Sequence, residues 1–323
     1  MRIHANDGIA ESARKALEAE GFKTTTDSVP QERLAAHINA EQVDVLLVRS
    51  ATKVRQELID ACPGLKLIGR GGVGVDNIDV AYARGKGIEV INTPAASSIS
   101  VAELVMAHLF GLMRELHRSN RAMPTEGAVR FKELKKACGK GGELRGRTLG
   151  VIGFGRIGQW TARYALGAGM RVVYTDGYVD VDALDMEVGG TTLRVPVEKT
   201  GLDELLGRAD AISLHVPSQA DGRPVLGADE LARTKAGVVI VNTARGGSVD
   251  EDALLAALAG GQVKAAALDV FTNEPVPRTD LLTHPALSLS PHIGAATAEA
   301  QERIGQELVE RIVAWRATIP AGE

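Results

Sequence analysis

Aromatic residues and cysteines are scarce in this 323-residue chain. It contains two Trp, four Tyr and five Phe, so aromatic residues make up 3% of the sequence. The core must therefore be built from Ala, Val, Leu and Ile, which is typical of buried parallel strands and close-packed helices, not of a β-sandwich. The two cysteines, Cys62 and Cys138, cannot form a disulfide framework and have no metal-like spacing. We therefore expect a reducing compartment and no metal site.

Long apolar runs and a strong excess of one charge are also lacking. The formal net charge is -4, which gives no reason to expect nucleic acid or an anionic membrane as a partner. The first residues are polar, and no apolar run approaches the roughly eighteen residues of a membrane span. These absences predict a soluble, cytoplasmic protein.

Two series of alternating apolar strands and helical segments indicate an α/β fold. The first series precedes residue 92, and the second begins near residue 147 and includes a strand at 192–195. This alternation predicts parallel sheets with helices on both faces. Because the last helical segment, 296–317, follows the final strand, it is expected to pack on the first domain. We therefore predict one discontinuous domain, 1–97 with 292–323, and a second domain at 98–291.

The most informative motif is a glycine turn, Gly153-Phe-Gly155-Arg-Ile-Gly158, between an apolar strand and a helix. The first glycine makes the turn, Gly155 leaves room for a pyrophosphate, and Gly158 lets the helix approach the strand. The helix N-terminus offers N–H groups to the phosphates. Asp176 ends the next strand, and its carboxylate suits a ribose diol and repels a 2′-phosphate. The motif predicts NAD as the cofactor. The alternative, a tight turn without a ligand, leaves Asp176 unexplained.

A second glycine motif, Gly69-Arg-Gly71-Gly-Val-Gly74, follows an earlier strand. The next strand begins too soon for a full βαβ helix, and it ends at Asn92 instead of an acid. We expect no second dinucleotide site here. The backbone N–H groups of this loop are candidates for contact with a substrate carboxylate or phosphate.

Three segments that follow later strands carry Arg245, Glu274 and His292. Open α/β sheets bind their ligands at such strand ends. Hydride transfer at a carbon bearing a hydroxyl needs a proton acceptor, a cation for the carboxylate, and an acid that orients the acceptor. His292, Arg245 and Glu274 respectively fit these roles. Taken singly, they could be a loop residue, a turn and a surface corner, but their occurrence behind a dinucleotide motif favours catalysis.

Several motifs resemble those of a known family, the NAD-dependent D-2-hydroxyacid dehydrogenases. These motifs are Ile152-Gly-Phe-Gly-Arg-Ile-Gly, Asn242-Thr-Ala-Arg-Gly-Gly, Leu268-Asp-Val-Phe and Ser290-Pro-His-Ile-Gly. Three others look closest to the D-3-phosphoglycerate dehydrogenases: Val48-Arg-Ser-Ala-Thr-Lys-Val, Gly69-Arg-Gly-Gly-Val-Gly-Val-Asp-Asn-Ile-Asp and Asn92-Thr-Pro. The resemblance covers essentially the whole chain. It implies a Rossmann NAD-binding domain inserted into a discontinuous, flavodoxin-like substrate domain.

The resemblance also implies roles for individual residues. Arg245 would bind the substrate carboxylate, Glu274 would pair with His292, and His292 would exchange the proton. The expected dinucleotide contacts are Gly153, Gly155, Arg156, Ile157, Gly158, Asp176, Val216, Pro217, Thr243, Ala244, Asp269, His292 and Gly294. The expected substrate contacts are Arg49, Ser50, Gly72, Val73, Gly74, Arg245 and His292.

The activity implied by the resemblance is NAD-dependent oxidation of 3-phospho-D-glycerate to 3-phosphohydroxypyruvate, the first step of serine biosynthesis. Two alternatives stay open: another D-2-hydroxyacid dehydrogenase, such as a glyoxylate or hydroxypyruvate reductase, and an NAD-sensing scaffold without activity. A basic stretch at 128–147 is either a phosphate contact or a solvated face. A homodimer is expected, with the apolar helix at 101–113 and the loop after it as interface candidates.

Two interpretations of His215, at a strand end of the second domain, stay open: a contact with the cofactor, and a structural, hydrogen-bonded histidine, which is favoured. His37, His108, His117 and His284 fall at helix or loop positions for which the sequence shows no partner.

Overall fold

The computed structural model describes residues 1–319, and the chain divides into two compact units. One unit contains Met1–Ser98 together with the residues from Ala295 onward, and the other is Ile99–Gly294. The predicted boundary at 291/292 assigned His292 to the first unit, whereas its contacts place it in the second. Arg245, Glu274 and His292 therefore belong to a single compact unit.

The first unit is built on a five-stranded parallel sheet in the order β2-β1-β3-β4-β5. The strands are β1 (Arg2–Ala5), β2 (Lys23–Thr25), β3 (Val45–Val48), β4 (Leu67–Arg70) and β5 (Glu89–Asn92). The helices between them are α1 (Glu11–Ala19), α2 (Gln31–Ala40), α3 (Gln56–Ala61) and α4 (Val80–Gly85), and the chain returns to this unit with the helix Ala298–Arg316.

Strand β3 shows why the sheet is covered on both faces. All four of its apolar side chains are buried, and successive side chains of a strand point to opposite faces. Val45 and Leu47 pack in the cluster that includes Ile304 and Leu308 of the last helix, while Leu46 and Val48 pack in the cluster that includes α2. An uninterrupted apolar strand is therefore buried between two helical layers.

The second unit contains a seven-stranded parallel sheet in the order β10-β7-β6-β11-β12-β13-β14. The strands of this unit are β6 (Thr148–Ile152), β7 (Arg171–Thr175), β8 (Ala183–Val188), β9 (Thr191–Pro196), β10 (Glu198–Lys199), β11 (Ala211–Leu214), β12 (Val238–Asn242), β13 (Val263–Leu268) and β14 (Leu287–Leu289). Its helices are α5 (Ser98–Met113), α6 (Leu116–Cys138), α7 (Arg156–Gly167), α8 (Leu202–Arg208), α9 (Ala228–Ala232), α10 (Glu251–Ala259) and α11 (Thr279–Leu282). The helix Ala298–Arg316 is α12.

The two strand orders confirm the predicted fold class. The first sheet has the flavodoxin-like order, and the second has the Rossmann order with one added edge strand, β14. Both sheets are parallel throughout, so the carboxyl ends of neighbouring strands lie at one edge of each sheet. Motifs that are distant in sequence but follow such strands are thereby brought close together.

The predicted parallel strand at 192–195 is wrong. These residues form β9, which pairs antiparallel with β8 in a separate two-stranded sheet. Gly189 and Gly190 between them both have positive φ, the conformation that a two-residue hairpin turn requires. The edge position next to β7 is taken by the short strand β10.

The expected loop after the apolar helix is also wrong, because the structure has the 23-residue helix α6 there. Pro124 lies inside this helix, and a proline in the chain normally indicates a helix end. The backbone leaves helical geometry only at Arg130, beyond the proline. The basic stretch therefore begins on a helix.

Two absences hold for the described residues, 1–319. No helix in this range combines the length and apolarity needed to cross a bilayer. No group of three or more His, Cys, Asp or Glu side chains there could hold a metal ion.

Burial keeps several histidine rings neutral. Burial lowers the pKa of His4, His108 and His117 below the ordinary 6.5, and it lowers that of His215 to about 3. The unfolded chain takes up a proton at each of these rings near pH 6.5, and the folded chain does so only at a lower pH. The stability that the neutral rings contribute is therefore complete above pH 6.5 and is lost as the pH falls towards the folded values.

We expect the free energy of unfolding to be lower at about pH 5.5 than at about pH 7.5, by about 1.4 kcal/mol for each histidine that stays neutral in the folded chain. Urea unfolding at the two pH values measures the difference. In the variant His215→Asn this difference in the free energy of unfolding should be smaller by the contribution of one histidine. Equal stability of the wild-type protein at both pH values would contradict this account.

Candidate active site

The glycine turn after β6 has the geometry that a dinucleotide needs. Gly153 has φ +90°, and a Cβ there would lie 2.6 Å from the carbonyl oxygen of His215. A Cβ on Gly158 would overlap the carbonyl oxygen of Gly153, so α7 can approach the strand only through a glycine. Nothing lies within 4 Å of the position that a Cβ would take on Gly155. The turn is therefore open at the position where a pyrophosphate must approach the backbone.

Helix α7 begins directly after this turn, at Arg156. Its N-cap is Gly155, and no side chain caps the first N–H groups. Uncapped N–H groups and the positive end of the helix dipole favour an anion. The backbone at Arg156 and Ile157 therefore fits the phosphates of a dinucleotide.

Asp176 follows β7 and is held in place by three backbone N–H donors. Its carboxylate accepts hydrogen bonds from Phe154 at 2.6 Å, Tyr178 at 2.7 Å and Val179 at 2.8 Å. Burial acts to raise the pKa of Asp176, but these three donors outweigh it, and the pKa is lowered overall. The acid is therefore ionised and fixed beside the glycine turn, as recognition of a ribose diol requires.

Other predicted cofactor contacts lie at the same edge of the sheet. Val216 and Pro217 follow β11, which pairs with both β6 and β12, and Thr243 and Ala244 follow β12. The Thr243 hydroxyl is buried and has no hydrogen-bond partner among the described residues. A buried polar atom of this kind normally has a partner, so a ligand group at Thr243 fits the observation.

Asp269, another predicted cofactor contact, is only 1% exposed. Its carboxylate accepts hydrogen bonds from the Ser290 hydroxyl and from the backbone N–H groups of Ile293 and Gly294. A direct contact with the cofactor stays a prediction. In the structure this acid bonds to the segment that carries His292.

His292 and Glu274 form a hydrogen-bonded pair. The Nδ1 atom of His292 lies 2.8 Å from Oε2 of Glu274, and Oε1 of Glu274 accepts the N–H of Phe271 at 2.9 Å. Because a carboxylate only accepts hydrogen bonds, Nδ1 carries the proton, and Nε2 of the neutral ring is the free acceptor. The His292 side chain is 45% exposed, so a substrate hydroxyl can reach it. The backbone of His292 is left-handed, with φ +54°.

Arg245 lies on the loop after β12, next to the loop that carries Glu274. Its Nη1 donates to the carbonyl oxygen of Ala244 at 2.6 Å. A Cβ on the following residue, Gly246, would overlap the carbonyl of Phe271. Glycine at this position therefore allows the arginine loop to pack against the loop that holds Glu274.

The predicted substrate contacts of the first unit lie at the carboxyl edge of its own sheet. Strands β3 and β4 pair in register from Val45 with Leu67 to Val48 with Arg70, so Arg49 and the loop at 71–74 follow neighbouring strand ends. Ser50 is exposed. No helix begins directly after the loop at 71–74, because α4 starts only at Val80. The second glycine motif therefore lacks the helix N-terminus that binds phosphates after the first one.

One apolar cavity lies beside the histidine and glutamate pair. Its volume is about 420 Å³, and its lining includes Phe271, Leu282 and Leu289 as well as Glu274 and His292. This cavity could not be predicted from the sequence, because its lining residues come from three separate segments. The sequence also missed the partners of His108, which are described below.

Comparison with known proteins identifies the family. The model of the D-isomer specific 2-hydroxyacid dehydrogenase NAD binding domain matches residues 106–294. The chain is 45% identical over 317 residues to a hydroxypyruvate reductase of Thermotoga maritima, covering 96% of this chain and 97% of that protein. It is 41% identical over 312 residues to a D-3-phosphoglycerate dehydrogenase of Methanocaldococcus jannaschii, covering 97% of this chain but 57% of that protein.

The solved structures agree with this result. The crystal structure of a glyoxylate reductase from Paecilomyes thermophila matches with a TM-score of 0.82 and 31% identity, covering 100% of this chain and 96% of that one. The chain therefore belongs to the D-isomer specific 2-hydroxyacid dehydrogenases, and NAD is its cofactor. Both the resemblance and the predicted cofactor are confirmed.

Replacing His292, the predicted proton acceptor, should strongly lower turnover and leave cofactor binding nearly unchanged. We expect His292→Gln to lower kcat by about 10²- to 10⁴-fold, the usual contribution of a general base, and to leave the Kd for NAD nearly unchanged. Nicotinamide absorbance measures turnover, and calorimetry measures binding. His284→Gln, in the same unit, is the matched control and should keep wild-type kcat. Wild-type turnover by His292→Gln would show that another group moves the proton.

Proposed function

We propose that the chain interconverts a D-2-hydroxy acid and its 2-oxo acid, with Arg245, Glu274 and His292 as the catalytic groups, and that its substrate is 3-phospho-D-glycerate. The observation that carries the chemistry is the 2.8 Å hydrogen bond between His292 and Glu274, which leaves Nε2 of His292 as the acceptor. The family supports the NAD-dependent oxidoreductase activity.

Each group has one task in the proposed reaction. Nε2 of His292 accepts the proton of the substrate hydroxyl, and the Glu274 carboxylate stabilises the resulting imidazolium. Arg245 grips the substrate carboxylate with its planar guanidinium, which a lysine could not do bidentately. The nicotinamide, when bound, supplies the hydride acceptor for C2. In the reverse direction His292 returns the proton to the carbonyl oxygen.

The proposed phosphate contact rests on two arginines at neighbouring strand ends of the first unit. Arg49 follows β3 and Arg70 ends β4, and the two strands pair in register. The backbone of Arg49 is fixed on both sides: its N–H donates to Asp7 at 2.6 Å, and its carbonyl accepts from the side chain of Asn77 at 2.8 Å. Among residues 1–319, no carboxylate pairs with the Arg49 guanidinium. A phosphate would supply that missing charge.

A second candidate substrate, hydroxypyruvate, is favoured by a separate observation. The relative with 45% identity is named a hydroxypyruvate reductase and is matched over 97% of its length, whereas the phosphoglycerate dehydrogenase extends well beyond the matched region. A pure NAD sensor is disfavoured, because a dinucleotide site alone has no need for the hydrogen-bonded pair of His292 and Glu274.

The two substrates can be separated with one variant. We expect the wild-type enzyme to oxidise 3-phosphoglycerate, and Arg49→Gln to raise the KM for that substrate by about 10- to 100-fold, the loss of one or two charged hydrogen bonds. The KM for hydroxypyruvate should change little. Lys53→Gln, an exposed cation on the same loop, is the matched control.

Nicotinamide absorbance with the two substrates measures both constants. Activity with hydroxypyruvate but none with either phosphorylated acid would overturn the substrate assignment and keep the reaction class. If Arg49→Gln raised the KM for both substrates equally, Arg49 would not bind the phosphate.

We also propose that the chain forms a homodimer through α6. This helix exposes large apolar side chains, among them Val129 at 82% and Phe131 at 58%. Exposed large apolar side chains of this kind are typical of an interaction surface.

Light scattering should give twice the monomer mass for the wild-type protein and the monomer mass for Phe131→Glu. Leu193→Glu, on the exposed hairpin, is the matched control and should stay dimeric. A monomeric wild-type protein would contradict the proposal.

A further inference from the structure

A chain of hydrogen-bonded side chains connects α5 to the segment that carries His292. His108 on α5 is 8% exposed, and its ring lies between two serines: Nδ1 is 3.0 Å from Oγ of Ser288, and Nε2 is 3.1 Å from Oγ of Ser290. The hydroxyl of Ser290 in turn lies 2.6 Å from Oδ1 of Asp269. The expectation that His108 has no partner is therefore wrong.

With a neutral His108 ring, only one arrangement of protons satisfies every member of this chain. The Asp269 carboxylate only accepts hydrogen bonds, so the Ser290 hydroxyl must donate its single hydrogen to Asp269. The Ser290 oxygen is then the acceptor for His108, which places the ring proton on Nε2. Nδ1 of the neutral ring is left to accept the hydroxyl of Ser288. All three side-chain hydrogen bonds therefore point from α5 and β14 towards Asp269.

Burial favours this neutral form of the ring. It lowers the pKa of His108, although the nearby Asp269 carboxylate acts to raise it. A protonated ring would place a hydrogen on Nδ1 as well, and Ser288 would then have to reverse its role. Burial therefore favours the neutral ring, and the hydrogen bond from Nε2 to Ser290 fixes its tautomer.

Asp269 also forms hydrogen bonds with the backbone next to His292. Its Oδ1 accepts the N–H of Ile293 and its Oδ2 accepts the N–H of Gly294, both at 2.9 Å. These are the two residues directly after His292, whose φ of +54° is uncommon for a side chain other than glycine. A strained conformation of this kind persists only where its surroundings hold it.

We propose that His108 is a positioning residue for the reaction. Its hydrogen bond to Ser290 orients Asp269, and Asp269 holds the 293–294 backbone so that the His292 ring faces Glu274. His108 itself touches neither substrate nor cofactor in this scheme. The role of the hydrogen-bonded pair His292 and Glu274 in turnover rests on the proposed function. The effect of His108 on the orientation of the His292 ring does not rest on it.

Three substitutions test the proposal on the full-length protein. His108→Leu removes the donor to Ser290 and keeps an apolar side chain in the buried position. His108→Gln keeps a donor nitrogen at the end of the side chain. His117→Leu removes a half-buried histidine from the neighbouring helix and is the control for a general loss of stability.

We expect His108→Leu to lower kcat by about 10- to 100-fold, because displacement of a catalytic group by about 1 Å has effects of this size. The KM and the Kd for NAD should change by less than about threefold. His108→Gln should recover most of the lost kcat, and His117→Leu should keep wild-type kcat. The loss should vanish when His108→Leu is combined with Glu274→Ala, since the hydrogen bond between His292 and residue 274 is then already broken.

A second measurement does not depend on turnover. Nitrogen-15 spectra of the imidazole rings, with the His292 signals assigned by their loss in His292→Gln, report which ring nitrogen carries the proton. In the wild-type protein we expect the Nδ1–H form of His292, bound to Glu274, and in His108→Leu a mixture of both tautomers. An unchanged His292 spectrum in His108→Leu overturns the proposal even if no substrate is found. Unchanged kcat in His108→Leu overturns it as well, whereas a wild-type protein that is inactive on every 2-hydroxy or 2-oxo acid overturns the proposed function alone.

Discussion

The parallel pairing of the strands in the second sheet is the constraint on which the site depends. Strands β6, β11, β12 and β13 pair side by side, so the segments after them leave the sheet at one edge. The glycine turn, Thr243, Arg245 and Asp269 all belong to those segments. Burying an apolar sheet between two helical layers therefore also brings these segments of the candidate active site together.

Within that frame, backbone hydrogen bonds to carboxylates hold the functional loops. Asp176 accepts the N–H of Phe154 within the dinucleotide turn. Glu274 accepts the N–H of Phe271, and Asp269 accepts those of Ile293 and Gly294. A charged acceptor forms stronger hydrogen bonds than a neutral one. Irregular segments at the sheet edge are thereby held in one conformation, which hydride transfer requires of its acid, base and cation.

The strands, the glycine turn and the predicted catalytic residues could be read from the sequence because each depends on local pattern. Apolar runs predict buried strands, and the spacing of Gly153, Gly155, Gly158 and Asp176 reflects direct steric and hydrogen-bonding needs. The errors arose where the outcome depends on competition between distant segments. The strand at 192–195 pairs with its hairpin partner instead of the sheet, and α6 continues past Pro124.

The sequence by itself determined which residues are the candidates for the chemistry, since an imidazole, a guanidinium and a carboxylate in those motifs suit proton transfer and carboxylate binding. The tertiary structure alone decided which nitrogen of His292 is free and what holds that ring. The answer depends on Glu274, Asp269, Ser290 and His108, residues up to 184 positions apart in the chain. Hydrogen bonds act over about 3 Å and in fixed directions, so no pattern along the sequence can specify them before the chain has folded.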